Sequence, residues 1–187
     1  MDKNKHVLVW EGTDAKSIEC LSWQKTDDNI IISSYLTGVS GDVPFAIHYL
    51  LQTDANWTVK QVLVNDLLNT QNNIQLNGDG KGKWFHGTEV LTMTEGCIDV
   101  DITLTPFTNT LPIRRLPWEQ GKKQTIQVVH ILLPELQMAR AEQHYTMLSP
   151  QKFLFESGDH FRADLSLDEN KMVIDYPGIA RKIFPQS

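Results

Sequence analysis

Apolar and polar side chains alternate along much of this chain, and the alternation predicts β-strands. It is clearest from Cys97 to Thr105, where apolar side chains occupy every second position and aspartates and threonines fill the positions between them. Successive side chains of a strand point to opposite faces, so this segment is predicted as a half-buried strand. Pro106 has no N–H to donate to a neighbouring strand and is expected to end it, and a polar turn that carries Asn109, Arg114 and Arg115 is predicted to follow.

The same reasoning predicts about ten strands and scarcely any helix. Gln124–Leu133 is apolar on both faces, which predicts a place at the centre of the sheet. Leu136–Leu148 has some helical propensity, but it is predicted as a strand because neither a cap at Glu135 nor a later stop signal supports a helix. Pro177-Gly178 is expected to close the sheet. The other predicted strands are His6–Trp10, Ile18–Trp23, Asn29–Val39, Val43–Thr53, Trp57–Leu68, Ile74–Leu76, Lys83–His86, Lys152–Glu156, Phe161–Leu167 and Met172–Tyr176.

Short connections between these strands predict antiparallel meanders, because parallel crossovers need a dozen or more residues each. A sheet of this size rarely stays flat, so it is expected to curl into a barrel, a half-barrel or a sandwich. The chain has 187 residues and shows no internal repeat, and we therefore expect residues 1–187 to form a single all-β domain.

Composition narrows the possible partners and the compartment. The net charge of −6 provides no basic excess, which argues against nucleic acid and anionic membrane surfaces as partners. No apolar run is long enough for a signal peptide or a membrane span, so we expect a cytoplasmic protein with no integral membrane association. Cys20 and Cys97 are far apart in the sequence, and both are predicted to be reduced and largely buried.

Two features that could hold a cofactor or a metal are interpreted as structural. The glycine-rich segment Asn77–Trp84 lacks the spacing of a phosphate-binding loop and is predicted to be a turn. The six histidines are scattered without the spacing of metal ligands. The sequence therefore predicts no cofactor and no metal site.

Asp99 and Asp101 are the sharpest candidates for chemistry. They share one face of their predicted strand, with α-carbons roughly 6–7 Å apart, a spacing that suits a pair of acid/base carboxylates. We favour a structural interpretation, in which the two aspartates lie on a solvated strand face or anchor the following turn by pairing with Arg114 or Arg115. These arginines could equally clamp a carboxylate, a phosphate or a sugar headgroup.

A longer run of residues resembles the signature of the bacterial putative glycolipid-binding family. It extends from Gly96 to Leu116 and reads GCIDVDITLTPFTNTLPIRRL. Further matches follow the same order along the chain. They are Gly78–Trp84, Leu133-Pro134-x-Leu136, Tyr145-Thr146-x-Leu148 and Asp175-Tyr176-Pro177-Gly178.

The resemblance implies a large, curved antiparallel sheet that forms an incompletely closed barrel with a concave apolar face. This architecture is similar to the Lol-type lipoprotein carriers, and it implies a small amphiphilic ligand such as a glycolipid. The ligand-binding candidates are Asn109, Arg114 and Arg115 at the rim, together with Trp57, Trp84 and Tyr145. Two alternatives remain open: an enzyme that uses Asp99 or Asp101 with an arginine at the same cleft, and a homodimeric interaction module.

Overall fold

A computed structural model describes residues 5–185 as one large, curved and mostly antiparallel sheet. Strands account for 61% of the chain and helices for 7%, which confirms the predicted all-β class. The strands are β1 (Lys5–Gly12), β2 (Lys16–Lys25), β3 (Asn29–Ser40), β4 (Val43–Asp54), β5 (Val59–Asp66), β6 (Asn73–Gly78), β7 (Trp84–His86), β8 (Glu89–Val90), β9 (Asp99–Ile102), β10 (Lys123–Leu132), β11 (Gln137–Ser149), β12 (Lys152–Ser157), β13 (Phe161–Leu167), β14 (Val173–Tyr176) and β15 (Ala180–Phe184). The helical segments are the 3-10 helices Thr92–Thr94 and Phe107–Asn109 and the helix α1 (Thr110–Arg115).

The strand order is 8-7-6-5-4-3-2-1-15-14-13-12-11-10-9. Each strand pairs with its neighbours in sequence except that β8 and β9 lie at opposite edges, and the first described strand, β1, also pairs with the last, β15. Among residues 5–185, no hydrogen-bonded ladder joins the two edge strands, β8 and β9, so the barrel is incompletely closed as predicted.

Residues 91–98 connect the two edges of the sheet, and the glycine-rich loop packs against them. The backbone N–H of Gly96 donates to the carbonyl of Gly82 at 2.8 Å, and Trp84 Nε1 donates to the carbonyl of Cys97 at 2.8 Å. A Cβ at Gly82 would lie 2.9 Å from the Gly96 α-carbon, and φ at Gly82 is +99°, so both the contact and the backbone there require glycine. The predicted turn at Asn77–Trp84 is confirmed for residues 79–83, which form the loop between β6 and β7, whereas its end residues belong to the two strands.

The estimate of about ten strands was too low, because the described part of the chain has fifteen; the thirteen predicted ranges each overlap one of them, and β8 and β15 were missed. The strand prediction for Leu136–Leu148 is confirmed by β11. The prediction that Pro177-Gly178 closes the sheet is wrong, because β15 follows these residues and pairs with both β14 and β1. The short β8 was missed because two residues carry no periodic pattern.

The connection from β9 to β10 differs from the prediction of a polar turn after Pro106. Its residues form the 3-10 helix and α1, and Thr108 to Ile113 are buried. A connection of this length permits a crossover, and β9 accordingly pairs with β10 in parallel, an exception to the predicted antiparallel meander. The strand is also shorter than predicted, because regular pairing stops at Ile102, before Pro106.

Two groups of buried apolar side chains fill the curve of the sheet. The larger one combines residues of β1 to β6 with Val100, Ile102, Val129 and Ile131, and the smaller one is formed mainly by β11 to β14. Strand β10 contributes to both, because Ile126 packs against the smaller group. The edge of the sheet formed by β9 and β10 therefore curls inward and lies between the two groups, and we call this curved sheet the roll. This explains why Gln124–Leu133 is apolar on both faces although β10 lies next to the edge and not at the predicted centre.

Helix α1 lies inside the roll. Phe107 and Leu111 belong to the larger group and Ile113 to the smaller one. The crossover thus occupies part of the concave face, and this limits the volume that a ligand could fill.

Two further expectations concern the burial of the cysteines and the presence of a membrane span. Both cysteines are free; Cys97 is buried as predicted, whereas Cys20 is exposed because it lies on the outer face of β2. None of the helices described within residues 5–185 is long and apolar enough to cross a membrane.

Candidate functional site

A partly enclosed apolar cavity of about 260 Å³ lies between the end of β9 and the strands β12 to β14. Antiparallel pairing places this end of the roll beside the β12–β13 and β14–β15 turns. The cavity is lined by residues 101–105, His130, Phe155, Ser157, Phe161, Tyr176 and Ile179.

The backbone after β9 shapes one wall of this cavity. Leu104 has a φ of +67°, which a leucine rarely adopts. Thr103 and Thr105 hold the segment on either side: Thr103 Oγ1 accepts the N–H of Leu133 at 2.7 Å, and Thr105 Oγ1 accepts the N–H of Phe107 at 3.1 Å. Such strained residues persist where their surroundings fix them, and they are concentrated at binding sites.

Asp101 supplies a carboxylate to the cavity wall. Its Oδ1 accepts a hydrogen bond from Thr108 Oγ1 at 2.9 Å, and its Oδ2 accepts one from Gln143 Nε2 at 2.7 Å. His130 Nε2 lies 3.6 Å from the same Oδ2, close enough for an ion pair when the imidazole is protonated. About a fifth of each side chain remains exposed, at 19% for Asp101 and 22% for His130.

Two tyrosines near Asp101 remain neutral. Burial, together with the Asp101 carboxylate, raises the pKa of Tyr176, which lines the cavity. The same two causes raise the pKa of Tyr145, whose hydroxyl donates to Asn109 Oδ1 at 2.9 Å. Burial is the larger cause in both cases, so neither hydroxyl group ionises near neutral pH.

A second polar cluster lies behind the cavity wall at Thr105. Thr105 Oγ1 is 3.3 Å from the Tyr49 hydroxyl, and this hydroxyl donates to Glu19 Oε1 at 2.5 Å. Ser34 Oγ also donates to Glu19 Oε1, at 2.8 Å. Glu19 Oε2 is buried and has no hydrogen-bond partner among the described residues, and burial raises the pKa of this carboxyl group.

Asp99, the other predicted carboxylate, lies away from the cavity. Its side chain is only 1% exposed, and its two oxygens accept Arg115 Nε at 3.1 Å and Nη2 at 2.5 Å. Burial raises the pKa of Asp99, and the arginine opposes this shift. The pairing of an aspartate with one of the two arginines, one of the alternatives from the sequence, is therefore present. It ties α1 to β9.

Arg114 lies at the opposite end of the roll. Its guanidinium is 4.3 Å from the ring centroid of Trp57 and 5.8 Å from that of Trp23, and it donates to the carbonyl of Asn170. Antiparallel pairing places the β4–β5 and β13–β14 turns, which carry Trp57 and Asn170, at the end away from the cavity.

The six residues predicted to bind a ligand are thus not gathered at one site. Asn109, Trp84 and Tyr145 are buried and donate or accept hydrogen bonds within the core. Arg115 is engaged by Asp99, and Arg114 by Trp57. None of the six lines the cavity described above, and their role in ligand binding stays a prediction.

Sequence reasoning missed most of the residues that do line this cavity. Asp101 was singled out, but its partner His130 is 29 positions away in the chain and was dismissed as scattered. Phe155, Ser157 and Phe161 belong to ordinary alternating strands. Only the pairing of β9 with β10 and the roll of the sheet bring these positions together, so no local signal could have identified them.

Comparisons with known proteins agree with this architecture. The family model described as "Putative glycolipid-binding" matches residues 7–182. Among solved structures, the chain is similar to the crystal structure of a DUF1089 family protein from Pseudomonas aeruginosa, with 34% sequence identity and a TM-score of 0.78. The match covers 87% of this chain and 91% of that chain. The comparison with curated proteins gave no significant match. Because the family model spans nearly all of the sequence, this chain belongs to the putative glycolipid-binding family.

Proposed function

We propose that this protein binds an amphiphile such as a glycolipid and holds its apolar part in the cavity beside β9. The observation that carries this proposal is the position of an apolar cavity next to Asp101 and His130. Ligand sites are commonly apolar pockets with a few convergent polar groups, and this cavity has that composition. Membership in a family described as glycolipid-binding supports a binding role.

The size of the cavity limits what it can hold. Its volume of about 260 Å³ lies just below the range of roughly 300–1,000 Å³ that is usual for small-molecule pockets. One alkyl chain or one ring would fill it, and the polar head would lie at the opening near Asp101 and His130. Asn109, Arg114 and Arg115, the head-group contacts expected from the sequence, would then act as supports of the fold.

A direct test is to look for a bound molecule in the purified protein. Native mass spectrometry should show a mass above that of the chain, and organic extraction should release an amphiphile. If the protein copurifies with nothing and also fails to bind n-octyl β-glucoside by calorimetry, the proposed function is wrong.

A variant of the cavity wall locates the site. Phe161 is 41% exposed, and its ring contacts those of Phe155 and Tyr176. Replacing it (Phe161→Ser) removes an aromatic ring from the cavity wall, and because buried apolar area stabilises by about 25 cal/mol per Å², octyl glucoside binding should weaken about tenfold. Phe184→Ser is the matched control, because Phe184 is similarly exposed but does not line the cavity. Equal effects of the two substitutions would contradict the proposed location.

An enzyme that uses Asp101 and His130 as an acid/base pair is a second candidate. The adjacency of the two side chains at the cavity favours it, whereas Asp99 is engaged by Arg115 and Arg114 lies at the far end. Incubation with octyl glucoside or p-nitrophenyl octanoate, followed by mass spectrometry, would show products that disappear in His130→Ala. If the wild-type protein releases no product from either compound, this candidate loses its support.

A further inference from the structure

Within the described residues, the wall of the cavity beside β9 carries an acidic side chain without a basic lysine or arginine to balance it. Asp101 is the carboxylate in its wall, and among residues 5–185 no lysine or arginine lines it. The guanidinium of Arg115 is engaged by the carboxylate of Asp99. Arg114 stacks on Trp57 at the other end of the roll. When the imidazole of His130 is neutral, a negatively charged group entering the cavity would therefore meet a carboxylate without a compensating cation.

The Asp101 carboxylate retains hydrogen-bonding capacity for a ligand. A carboxylate offers about four lone-pair positions, and Thr108 and Gln143 take one at each oxygen. Part of the side chain is exposed, and His130 lies beside it at 3.6 Å with no hydrogen bond to another described residue. A hydroxyl group can donate to Asp101, whereas a sulfate, phosphate or carboxylate group can only repel it.

From this arrangement we propose that the cavity selects amphiphiles with an uncharged, hydroxyl-bearing head and rejects those with an anionic head. Asp101 is the residue that makes the distinction. The inference rests on the proposed function, since it concerns the ligand of the same cavity. It separates neutral glycolipids from anionic phospholipids and fatty acids, which share the apolar chain but carry a net negative charge.

The test compares two compounds that differ in the head alone. Binding of n-octyl β-glucoside and n-octyl sulfate is measured by calorimetry below their micelle concentrations, at pH 8, where imidazoles are normally neutral. We expect the glucoside to bind at least about tenfold more tightly, a ratio that corresponds to about 1.4 kcal/mol. A ratio near one, or tighter binding of the sulfate, would overturn the inference while leaving the proposed function in place. Failure of both compounds to bind would overturn the proposed function as well.

Asp101→Asn assigns the selectivity to the carboxylate. The amide keeps an oxygen for Thr108, and rotation of the Gln143 amide can present its oxygen to the new NH₂ group. With the charge removed, the ratio between glucoside and sulfate should fall to within about threefold. Asp164→Asn is the matched control: it removes one charge from an exposed ion pair with Lys152 outside the cavity, and it should leave the ratio unchanged. A ratio that stays at its wild-type value in Asp101→Asn would overturn the role of this residue.

A second variant provides a test that does not depend on the folding of Asp101→Asn. Ser157 lines the cavity at the end of β12, where it pairs with Gln143 of β11. Ser157→Lys introduces the missing cation and should strengthen octyl sulfate binding about tenfold while changing glucoside binding by less than about threefold. If lysine at this position leaves sulfate binding unchanged, charge does not control selection at this cavity.

Discussion

Glu19 is the residue whose environment departs most from what its side chain prefers. It lies in the middle of β2 on the concave face, and it is 1% exposed with one carboxylate oxygen unpartnered among the described residues. Hydrogen bonds from Tyr49 and Ser34 favour the ionised form, but burial outweighs them and raises the pKa above the ordinary value of 4.5. A buried charge of this kind is costly, and protonation relieves the cost.

The raised pKa predicts how stability depends on pH. The folded protein holds the Glu19 proton at pH values where the unfolded chain has released it. This contribution to stability is therefore complete below about pH 4.5 and is lost as the pH rises through the folded-state pKa. Glu19→Gln cannot ionise, so the variant should gain stability relative to wild type as the pH rises.

Urea unfolding of both proteins between about pH 4.5 and pH 8 measures this difference. The exposed Glu89 of β8 provides the control, because Glu89→Gln should shift stability by a constant small amount. Parallel curves for wild type and Glu19→Gln would show that the buried carboxyl group does not titrate as the structure indicates.

The element that most depends on a single polar contact is α1, the crossover inside the roll. The ion pair between Arg115 and Asp99 joins it to the edge strand β9. Removing the arginine leaves a buried carboxylate without a cation, so Arg115→Ala should lower the free energy of unfolding by about 3–5 kcal/mol at neutral pH. The loss should be smaller at pH 5, because an unpaired Asp99 takes up a proton more readily.

Two comparisons check this prediction by urea unfolding. Arg162 is exposed on β13, and Arg162→Ala should change stability by less than about 0.5 kcal/mol. The double variant Asp99→Asn with Arg115→Met removes both charges and should recover a large part of the loss. Equal destabilisation by the single and double variants would mean that lost packing, and not the unpaired charge, is the cause.

At the scale of elements, the sequence predicted the strands, whose pattern depends on neighbouring residues, and missed the buried crossover, which depends on how the sheet curls. The alternation in β3, β4 and β13 was readable because one face of each is buried and the other is not. The segment after Pro106 was interpreted as a polar turn because of its threonines, Asn109 and arginines. Its burial follows from the crossover that returns the chain through the concave face, which no local pattern records.

The candidate site shows the same limit. Asp101 drew attention as half of a pair with Asp99, yet the two aspartates have different neighbours: one lines a cavity and the other neutralises an arginine. Their difference depends on residues contributed by α1, β10 and β11, which are distant in sequence. Spacing alone therefore identified the strand that carries the site but not the role of each carboxylate.

At the scale of the whole molecule, the pairing of β1 with β15 joins the two halves of the sheet. Lys182 of β15 adds an ion pair with Asp168 at 3.1 Å, and its side chain is only 5% exposed. Truncation after Pro177 would remove β15 and leave the backbone N–H and C=O groups of β1 and β14 unpaired. Exposed edges of this kind promote association, so the truncated chain should form large aggregates in light scattering.

Truncation after Pro185 keeps β15 intact and should leave the protein in its wild-type state, which makes it the control. A truncation after Pro177 that remained dispersed and folded, with unchanged amide exchange in β1, would show that each half of the sheet is stable without the joint.

The open seam between β8 and β9 has a consequence for the connectivity of this fold. Around the sheet, each hydrogen-bonded neighbour is also the next strand along the chain, apart from β1 and β15. A circular permutant opened within residues 91–98, with the present first and last strands linked, would begin at β9 and end at β8. Its strands would then follow one another in space in the same order as in sequence. The long-range pairing of β1 with β15, which raises the contact order of the natural chain, would become a local hairpin.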